Sequence, residues 1–286
     1  MTTHLAFFHL VEEPFSNLPD PRFFCACPEH TAAIEACLAA LDAAPGRCLL
    51  TADPGMGKTL LARHCGQALD SDRWQAFHLL VPNAALTPRG LLRRLCALLS
   101  DGVNAPREST ADELFARLAQ RLDAIASLGK RPALIVDEAQ MLEVPETLAL
   151  LGALPRLSLL LVGLAGCEEK LTRGLGLDRP ILHRLSPLSP ASVATYVQHR
   201  MARADASAQP FAPEAIEALH RHSGGVPRRL NLLCDAALIE AARQSRANID
   251  AAMIERIAAR VGTEERPLSI GDLTAVDRFL DRLLEG

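Results

Sequence analysis

In the first two thirds of the chain, short apolar runs alternate with longer amphipathic stretches. The apolar runs have the length of buried strands and lie at 48–50, 74–81, 133–137 and 158–163. The stretches between them show helical periodicity at 29–41, after Thr87, after Thr110 and near 145–151. This alternation predicts an α/β fold with a parallel sheet and helices on both faces, where ligands bind at the carboxyl ends of the strands.

The pattern changes at about Ser189, where strand-like runs stop. Helical periodicity then dominates at 191–204, 213–221, 227–244 and 250–261. We therefore predict a sheet domain over 1–188, which includes a proline-rich and aromatic strap at 1–28, and a small helical domain over 189–262. A last amphipathic helix is predicted within 263–286, at 269–284, and its apolar stripe fits either its own chain or a partner.

A glycine-rich turn joins the first predicted strand to the helix after it. Gly55 and Gly57 free backbone N–H groups to surround phosphate oxygens, and the start of the helix adds a partial positive charge. Lys58 supplies a full charge and Thr59 a hydroxyl for Mg²⁺. The predicted nucleotide-binding residues are Asp53, Pro54, Gly55, Met56, Gly57, Lys58, Thr59 and Leu60. Ala52 stands where the consensus begins with glycine, and we expect binding to tolerate this methyl group.

Two carboxylates stand at the end of the apolar strand predicted at 133–137. Asp137 and Glu138 have the pattern of a Walker B motif, in which the first residue holds Mg²⁺ through water and the second orients the attacking water. An Asp-Glu pair after an apolar run is also common as a solvated strand end. Together with the upstream loop, the pair favours a site for Mg²⁺ and ATP.

Bulk properties exclude several classes of protein. With 286 residues, 49% of them hydrophobic and 22% charged, the chain is globular. Its net charge of −4 gives no general argument for nucleic-acid binding, although a local basic face stays open. The eight cysteines do not form a disulfide framework, and Cys25, Cys27 and His30 match no common zinc spacing. No signal peptide or membrane span is evident, so we expect a cytoplasmic protein.

Four segments give the chain a family resemblance over roughly residues 5–262. They are PFSNLPDPRFF at 14–24, ADPGMGKT at 52–59, ALIVDEAQ at 133–140 and HSGGVPRRLNLLCD at 222–235. With these segments the chain resembles the AAA+ ATPases of the general secretion pathway protein A (ExeA) type, and more loosely the transposition-helper ATPases. The resemblance implies a P-loop NTPase of the AAA+/ASCE kind with an all-α lid, and homo-oligomers are common in that class.

The resemblance also implies roles for residues outside the two motifs. Arg228 corresponds to the sensor 2 arginine of the lid, which reaches the γ-phosphate, and Pro14 with Phe15 would border the adenine. Arg179 is nearest to the position of the arginine finger that acts on a neighbouring subunit, with Arg173 and Arg184 as alternatives. Leu164 occupies the sensor 1 position, where the family pattern has a polar side chain. We therefore expect ATP binding with slow hydrolysis.

The predicted function is a AAA+ ATPase that binds Mg-ATP and switches the conformation or assembly of a protein partner. Its catalytic residues are predicted to be Glu138, Arg228 and Arg179, and its metal ligands Thr59 and Asp137. Secretion machinery is one source of the partner. Two alternatives stay open, a DNA-associated transposition or initiation helper and a nucleotide-gated scaffold that does not hydrolyse ATP.

Overall fold

A computed structural model describes residues 4–43, 46–81, 86–99, 109–142, 144–176 and 181–261. The described chain divides into two compact units. Residues 29–186 form the sheet unit, and residues up to 28 together with those from 187 onward form the helical unit. The predicted helix at 269–284, and with it the predicted segment 263–286, lies outside the described residues.

The sheet unit contains five parallel strands in the order β2-β3-β4-β1-β5. Their bounds are Arg47–Ala52 (β1), Trp74–Leu80 (β2), Arg131–Asp137 (β3), Ser158–Leu164 (β4) and Ile181–Arg184 (β5). The first four confirm the predicted strands. The sequence pattern does not predict β5, because this strand has only four residues, is largely exposed and forms no long apolar run.

Helices connect these strands as the fold class requires. They are α2 (Pro28–Asp42), α3 (Lys58–Ala68), α4 (Pro88–Leu99), α5 (Ala111–Ser127), α6 (Pro145–Ala153) and α7 (Glu168–Gly174), after the short α1 (His4–Phe7) of the helical unit. Helix α5 begins with a capping box. Thr110 accepts from the Glu113 N–H at 3.2 Å, and the Glu113 carboxylate accepts from the Thr110 N–H at 2.8 Å. The structure thus confirms the parallel sheet flanked by helices.

The sheet order places β4 between β1 and β3. Ala52 pairs with Leu164 at the ends of β1 and β4, and Val136 pairs with Leu161. The glycine-rich turn, the Asp-Glu pair and the end of β4 therefore meet at one edge of the sheet. Because the strands are buried on both faces, this edge has little freedom to shift.

In the residues that the structure describes, the helical unit is built from four longer helices and the N-terminal segment. The helices are α8 (Pro190–Arg203), α9 (Pro213–Ser223), α10 (Pro227–Arg243) and α11 (Ala251–Val261). Their apolar faces form one core, which the buried residues Leu10, Phe15, Cys25 and Cys27 join. Among the described residues, no helix is long and apolar enough to cross a membrane.

The N-terminal segment differs from the sequence-based domain division. Residues 1–28 were assigned to the sheet domain, but the described part of this segment packs with the helices after residue 187. Phe15 is buried edge-to-face against Phe211, with ring centroids 6.0 Å apart, and the Val11 N–H donates to the Ala204 carbonyl. The aromatic content predicted that the segment is packed, but it could not identify the surface that receives it.

Candidate nucleotide-binding site

The glycine-rich turn occupies residues 53–57, between the end of β1 and the start of α3. Gly55 and Gly57 have φ angles of 82° and 83°, a left-handed conformation that side chains with a Cβ rarely adopt. Gly57 is also the N-cap of α3, with no side chain at the helix end. The side chain of Met56 is buried, while those of Asp53 and Pro54 are exposed. The turn therefore presents backbone N–H groups at a helix N-terminus, the arrangement that binds phosphate.

Lys58 is held inside this turn. Its side chain is buried, with an exposed fraction of 7%, and its Nζ donates to the carbonyls of Ala52 at 3.2 Å and Asp53 at 3.0 Å. These contacts position the ammonium group against the turn before any ligand binds. A lysine so placed adds charge to the backbone donors, since anions are favoured at helix N-termini.

Asp137 is the most deeply buried carboxylate of the site. Its Oδ1 accepts from the Glu138 N–H at 2.9 Å, and its side chain hydrogen-bonds with that of Thr59. Its Oδ2 is buried and has no hydrogen-bond partner among the described residues. Burial raises the pKa of Asp137, while Thr59, the Glu138 N–H, Lys58 and Arg63 act in the opposite direction.

This arrangement fits a divalent cation. A buried carboxylate oxygen without a donor costs free energy, and a cation beside it removes that cost and favours the charged form. A hydroxyl and a carboxylate are oxygen ligands of the kind that Mg²⁺ takes next to a phosphate. Thr59 and Asp137, which the sequence predicted as metal ligands, are thus brought together by the fold.

Glu138 lies at the turn after β3 in a left-handed conformation, with φ 55° and ψ 38°. Such a backbone conformation costs about 1–3 kcal/mol in a residue with a side chain, and it clusters at functional sites. The Oε2 of Glu138 accepts a short hydrogen bond from the Gln140 amide. Leu164 ends β4 nearby, and its N–H donates to Oε1 of the same Gln140 at 3.1 Å. Gln140 ends the segment ALIVDEAQ, but the sequence pattern alone predicts no role for it.

The predicted arginines lie in different places. Arg228 is an exposed residue in the first turn of α10, and no ion pair of Arg228 occurs within the described ranges. Arg179 lies outside the described residues. Of its two alternatives, Arg173 pairs with Glu169, and Arg184 on β5 lies 3.6 Å from Oδ1 of Asp53.

The fold and the glycine-rich turn have the architecture of the P-loop NTPase class. Residues 42–173 match the family model described as AAA domain. General secretion pathway protein A of Aeromonas hydrophila is 36% identical to the chain over 249 residues. The match covers 82% of the chain but only 44% of that relative, so the chain spans less than half of the relative's length. The chain therefore belongs to the AAA+ family and is similar to general secretion pathway protein A over most of its own length.

Solved structures support the same fold at low sequence identity. The Orc1 protein of Aeropyrum pernix, solved in complex with DNA, matches with a TM-score of 0.59 and 19% identity, covering 84% of this chain and 67% of the other. The RuvB branch-migration motor of Thermotoga maritima matches with a TM-score of 0.54 and 17% identity, covering 85% of this chain and 72% of the other. At this identity the similarity shows the fold alone.

Proposed function

We propose that the protein binds Mg-ATP at the turn between β1 and α3 and hydrolyses it to switch the conformation or assembly of a protein partner. One observation carries the proposal. The buried Asp137 carboxylate, with its Oδ2 lacking a partner among the described residues, hydrogen-bonds with Thr59 at the helix end that Lys58 also occupies. The relative's name makes secretion machinery the first place to look for the partner.

Each residue has a defined part in this proposal. The backbone N–H groups of 53–60 and the Lys58 ammonium bind the phosphates, and Thr59 and Asp137 would hold Mg²⁺. When bound, Mg²⁺ neutralises charge on the β- and γ-phosphate oxygens. Glu138 accepts a hydrogen bond from the attacking water and orients it toward the γ-phosphorus. Because phosphoryl transfer depends mainly on position and charge, this orientation is the main contribution of Glu138.

Leu164 makes slow hydrolysis part of the proposal. Its alkyl side chain cannot donate a hydrogen bond to the γ-phosphate or to the water, as the polar side chain at this position of the family pattern would. The loss of one positioned donor costs about 2–4 kcal/mol of transition-state stabilisation in other enzymes. A slow ATPase suits a switch, because the bound state then persists between turnovers.

The helical unit would sense the nucleotide. Arg228 follows Gly224 and Gly225, which have φ angles of 62° and 73°, and an exposed arginine at a helix start can form charge-assisted hydrogen bonds with a γ-phosphate. Pro14 and Phe15 are proposed to border the adenine. In a homo-oligomer, Arg179 of one subunit is proposed to reach the ATP of its neighbour.

Two variants and one control test this function. Lys58→Ala is expected to weaken Mg-ATP binding about 10- to 100-fold, since a hydrogen bond to a charged group contributes about 1.5–3 kcal/mol. Glu138→Gln is expected to keep the affinity and lose turnover. Lys130→Ala, which changes a lysine outside the turn, serves as the matched control. Affinity is measured by calorimetry and turnover by phosphate release.

The outcomes separate the alternatives. Wild-type protein that shows no magnesium-dependent affinity for ATP, or a Lys58→Ala variant with unchanged affinity, contradicts the proposed site. If ATP binds but wild-type turnover equals that of Glu138→Gln, the protein is a nucleotide-gated scaffold.

A further inference from the structure

Gln140 connects two parts of the candidate active site that the sequence keeps 26 residues apart, Glu138 and Leu164. Its Nε2 donates to Oε2 of Glu138, and its Oε1 accepts from the Leu164 N–H at 3.1 Å. Both ends of one amide are thus used, one on the carboxylate proposed to orient water and one on the end of β4. The Gln140 backbone is held as well, since Nζ of Lys170 donates to its carbonyl at 2.8 Å.

The end of β4 is shaped to receive this amide. A Cβ added at Gly163 would lie 3.1 Å from Oε1 and 3.5 Å from the backbone N of Gln140, and 2.9 Å from Sγ of Cys167. The separations from Oε1 and from Sγ are shorter than ordinary contacts, so glycine leaves the space that the Gln140 side chain occupies. The Gln140 amide thus forms a bridge between Glu138 and Leu164. This bridge also depends on Gly163, because a side chain there would occupy the space of the amide.

The bridge lies where the chain lacks a polar group. The Leu164 side chain is an alkyl group, but its backbone N–H still fixes the Gln140 amide, and that amide binds Glu138. Glu138 also has a left-handed backbone conformation, with φ 55°, and its carboxylate accepts a hydrogen bond from the Gln140 amide. An amide anchored on a buried strand restrains that carboxylate more firmly than solvent can.

We infer that Gln140 is a positioning residue that ties the Glu138 carboxylate to the end of β4 and so holds it in the orientation needed for water attack. This inference rests on the proposed ATPase function. Gln140 contacts neither the nucleotide site at Lys58 nor the carboxylate of Asp137 in any hydrogen bond described, so its effect should be on turnover and not on affinity. A purely structural role would instead lower the thermal stability and the affinity together.

A mutant cycle separates these roles. We compare wild type, Gln140→Ala, Glu138→Ala and the double variant, measuring single-turnover hydrolysis, Mg-ATP affinity and melting temperature. Gln140→Ala is expected to lower the hydrolysis rate about 10- to 100-fold, with affinity within about twofold of wild type. In the Glu138→Ala background the same change is expected to cost less than about twofold, because no carboxylate remains to be positioned.

Three further variants keep the result interpretable. Gln67→Ala removes an exposed glutamine from α3 and is expected to leave all three measurements unchanged. Gly163→Ala should displace the Gln140 side chain and reproduce the slow turnover of Gln140→Ala. Gln140→Glu keeps the size and the acceptor but replaces the donor with a charge that repels Glu138, so it should be at least as slow as Gln140→Ala.

The results decide between the inference and the function beneath it. Turnover that requires Glu138 but is the same in Gln140→Ala overturns the inference alone. Equal losses from Gln140→Ala with and without Glu138, or a rate that rises in Gln140→Ala, also overturn it. Absence of any Glu138-dependent turnover in the wild-type protein contradicts the ATPase function, and the inference with it.

Discussion

Arg200 on α8 joins the N-terminal segment to the helices of the helical unit. Replacement of its side chain should release that segment from the helices. The side chain is buried, with an exposed fraction of 6%. Its guanidinium donates to the carbonyls of Pro14 at 2.6 Å and Ser16 at 3.0 Å, and it also donates to the Tyr196 hydroxyl and Oδ1 of Asn231. The guanidinium carbon lies 5.1 Å from the centre of the Phe23 ring. One side chain thus holds both ends of the turn before the 3₁₀ helix at Pro21–Phe23.

The expected cost of Arg200→Met follows from which acceptors lose their donor. The Tyr196 hydroxyl still donates to Oδ1 of Asn231 at 2.9 Å, so that pair stays satisfied. The carbonyls of Pro14 and Ser16 lose the bonds that the guanidinium makes to them, and each such bond to a charged donor is worth about 1.5–3 kcal/mol. Methionine fills most of the volume of the arginine stem, so little cavity cost is added. We therefore expect Arg200→Met to lower the free energy of unfolding of the helical unit by about 3–5 kcal/mol.

The chain offers a separate optical probe for each unit. Its single Trp74 lies in β2 of the sheet unit, and its single Tyr196 lies in α8 of the helical unit. Urea unfolding of Arg200→Met, followed by the near-ultraviolet signal of Tyr196, should shift to lower urea, while limited proteolysis should cut within 9–24 earlier than in wild type. Arg203→Met, on an exposed position of the same helix, is the control. If Arg200→Met unfolds and resists protease as the control does, the assigned role of Arg200 is wrong.

Two more predictions concern the sheet unit. Leu164→Asn restores a polar side chain at the sensor 1 position and is expected to raise the hydrolysis rate at least about tenfold in phosphate release, and an unchanged rate would refute the explanation for slow turnover. His78 has its pKa lowered to about 4, mainly by burial and then by Arg63, and its buried Nε2 has no partner among the described residues. The pKa of His78 in the folded protein lies below the ordinary value of 6.5, so its neutral form contributes full stability above pH 6.5. The free energy of unfolding should then fall by up to about 3 kcal/mol as the pH drops toward 4. Urea titrations of His78→Phe should lack this pH dependence.

Local chemistry explains how much of the site the sequence predicted. The glycine turn, Lys58 and Thr59 are contiguous, and Asp137 with Glu138 follows the apolar run 133–136, so each pattern can be recognised from the sequence alone. The strand order brings Thr59 and Asp137 together. The alternation of strands and helices predicts that both lie at the carboxyl edge of the sheet, but it does not predict that they are in contact. The roles of Glu138 and Arg228 stay predictions.

Long-range placement explains what the sequence did not predict. The role of Gln140 depends on β4 ending beside the loop after β3, and sequence spacing does not contain that register. The packing of the N-terminal segment around Pro14 depends on Arg200, which lies 186 positions after the Pro14 carbonyl that it binds. The edge strand β5 pairs with β1 and its four residues are largely exposed, so they form no buried apolar run that the sequence could reveal.

The division of the chain has a consequence for how the protein is made. The helical unit takes residues from before 28 and from after 187, with the whole sheet unit inserted between them. During synthesis, the sheet unit is complete before α8 leaves the ribosome. Phe15 and its neighbours therefore lack the helices they pack against while the roughly 160 residues of the sheet unit are made. Proteins that bind exposed aromatic segments on nascent chains therefore have their best opportunity at the start of this chain, and a slow translation step after residue 186 would lengthen it.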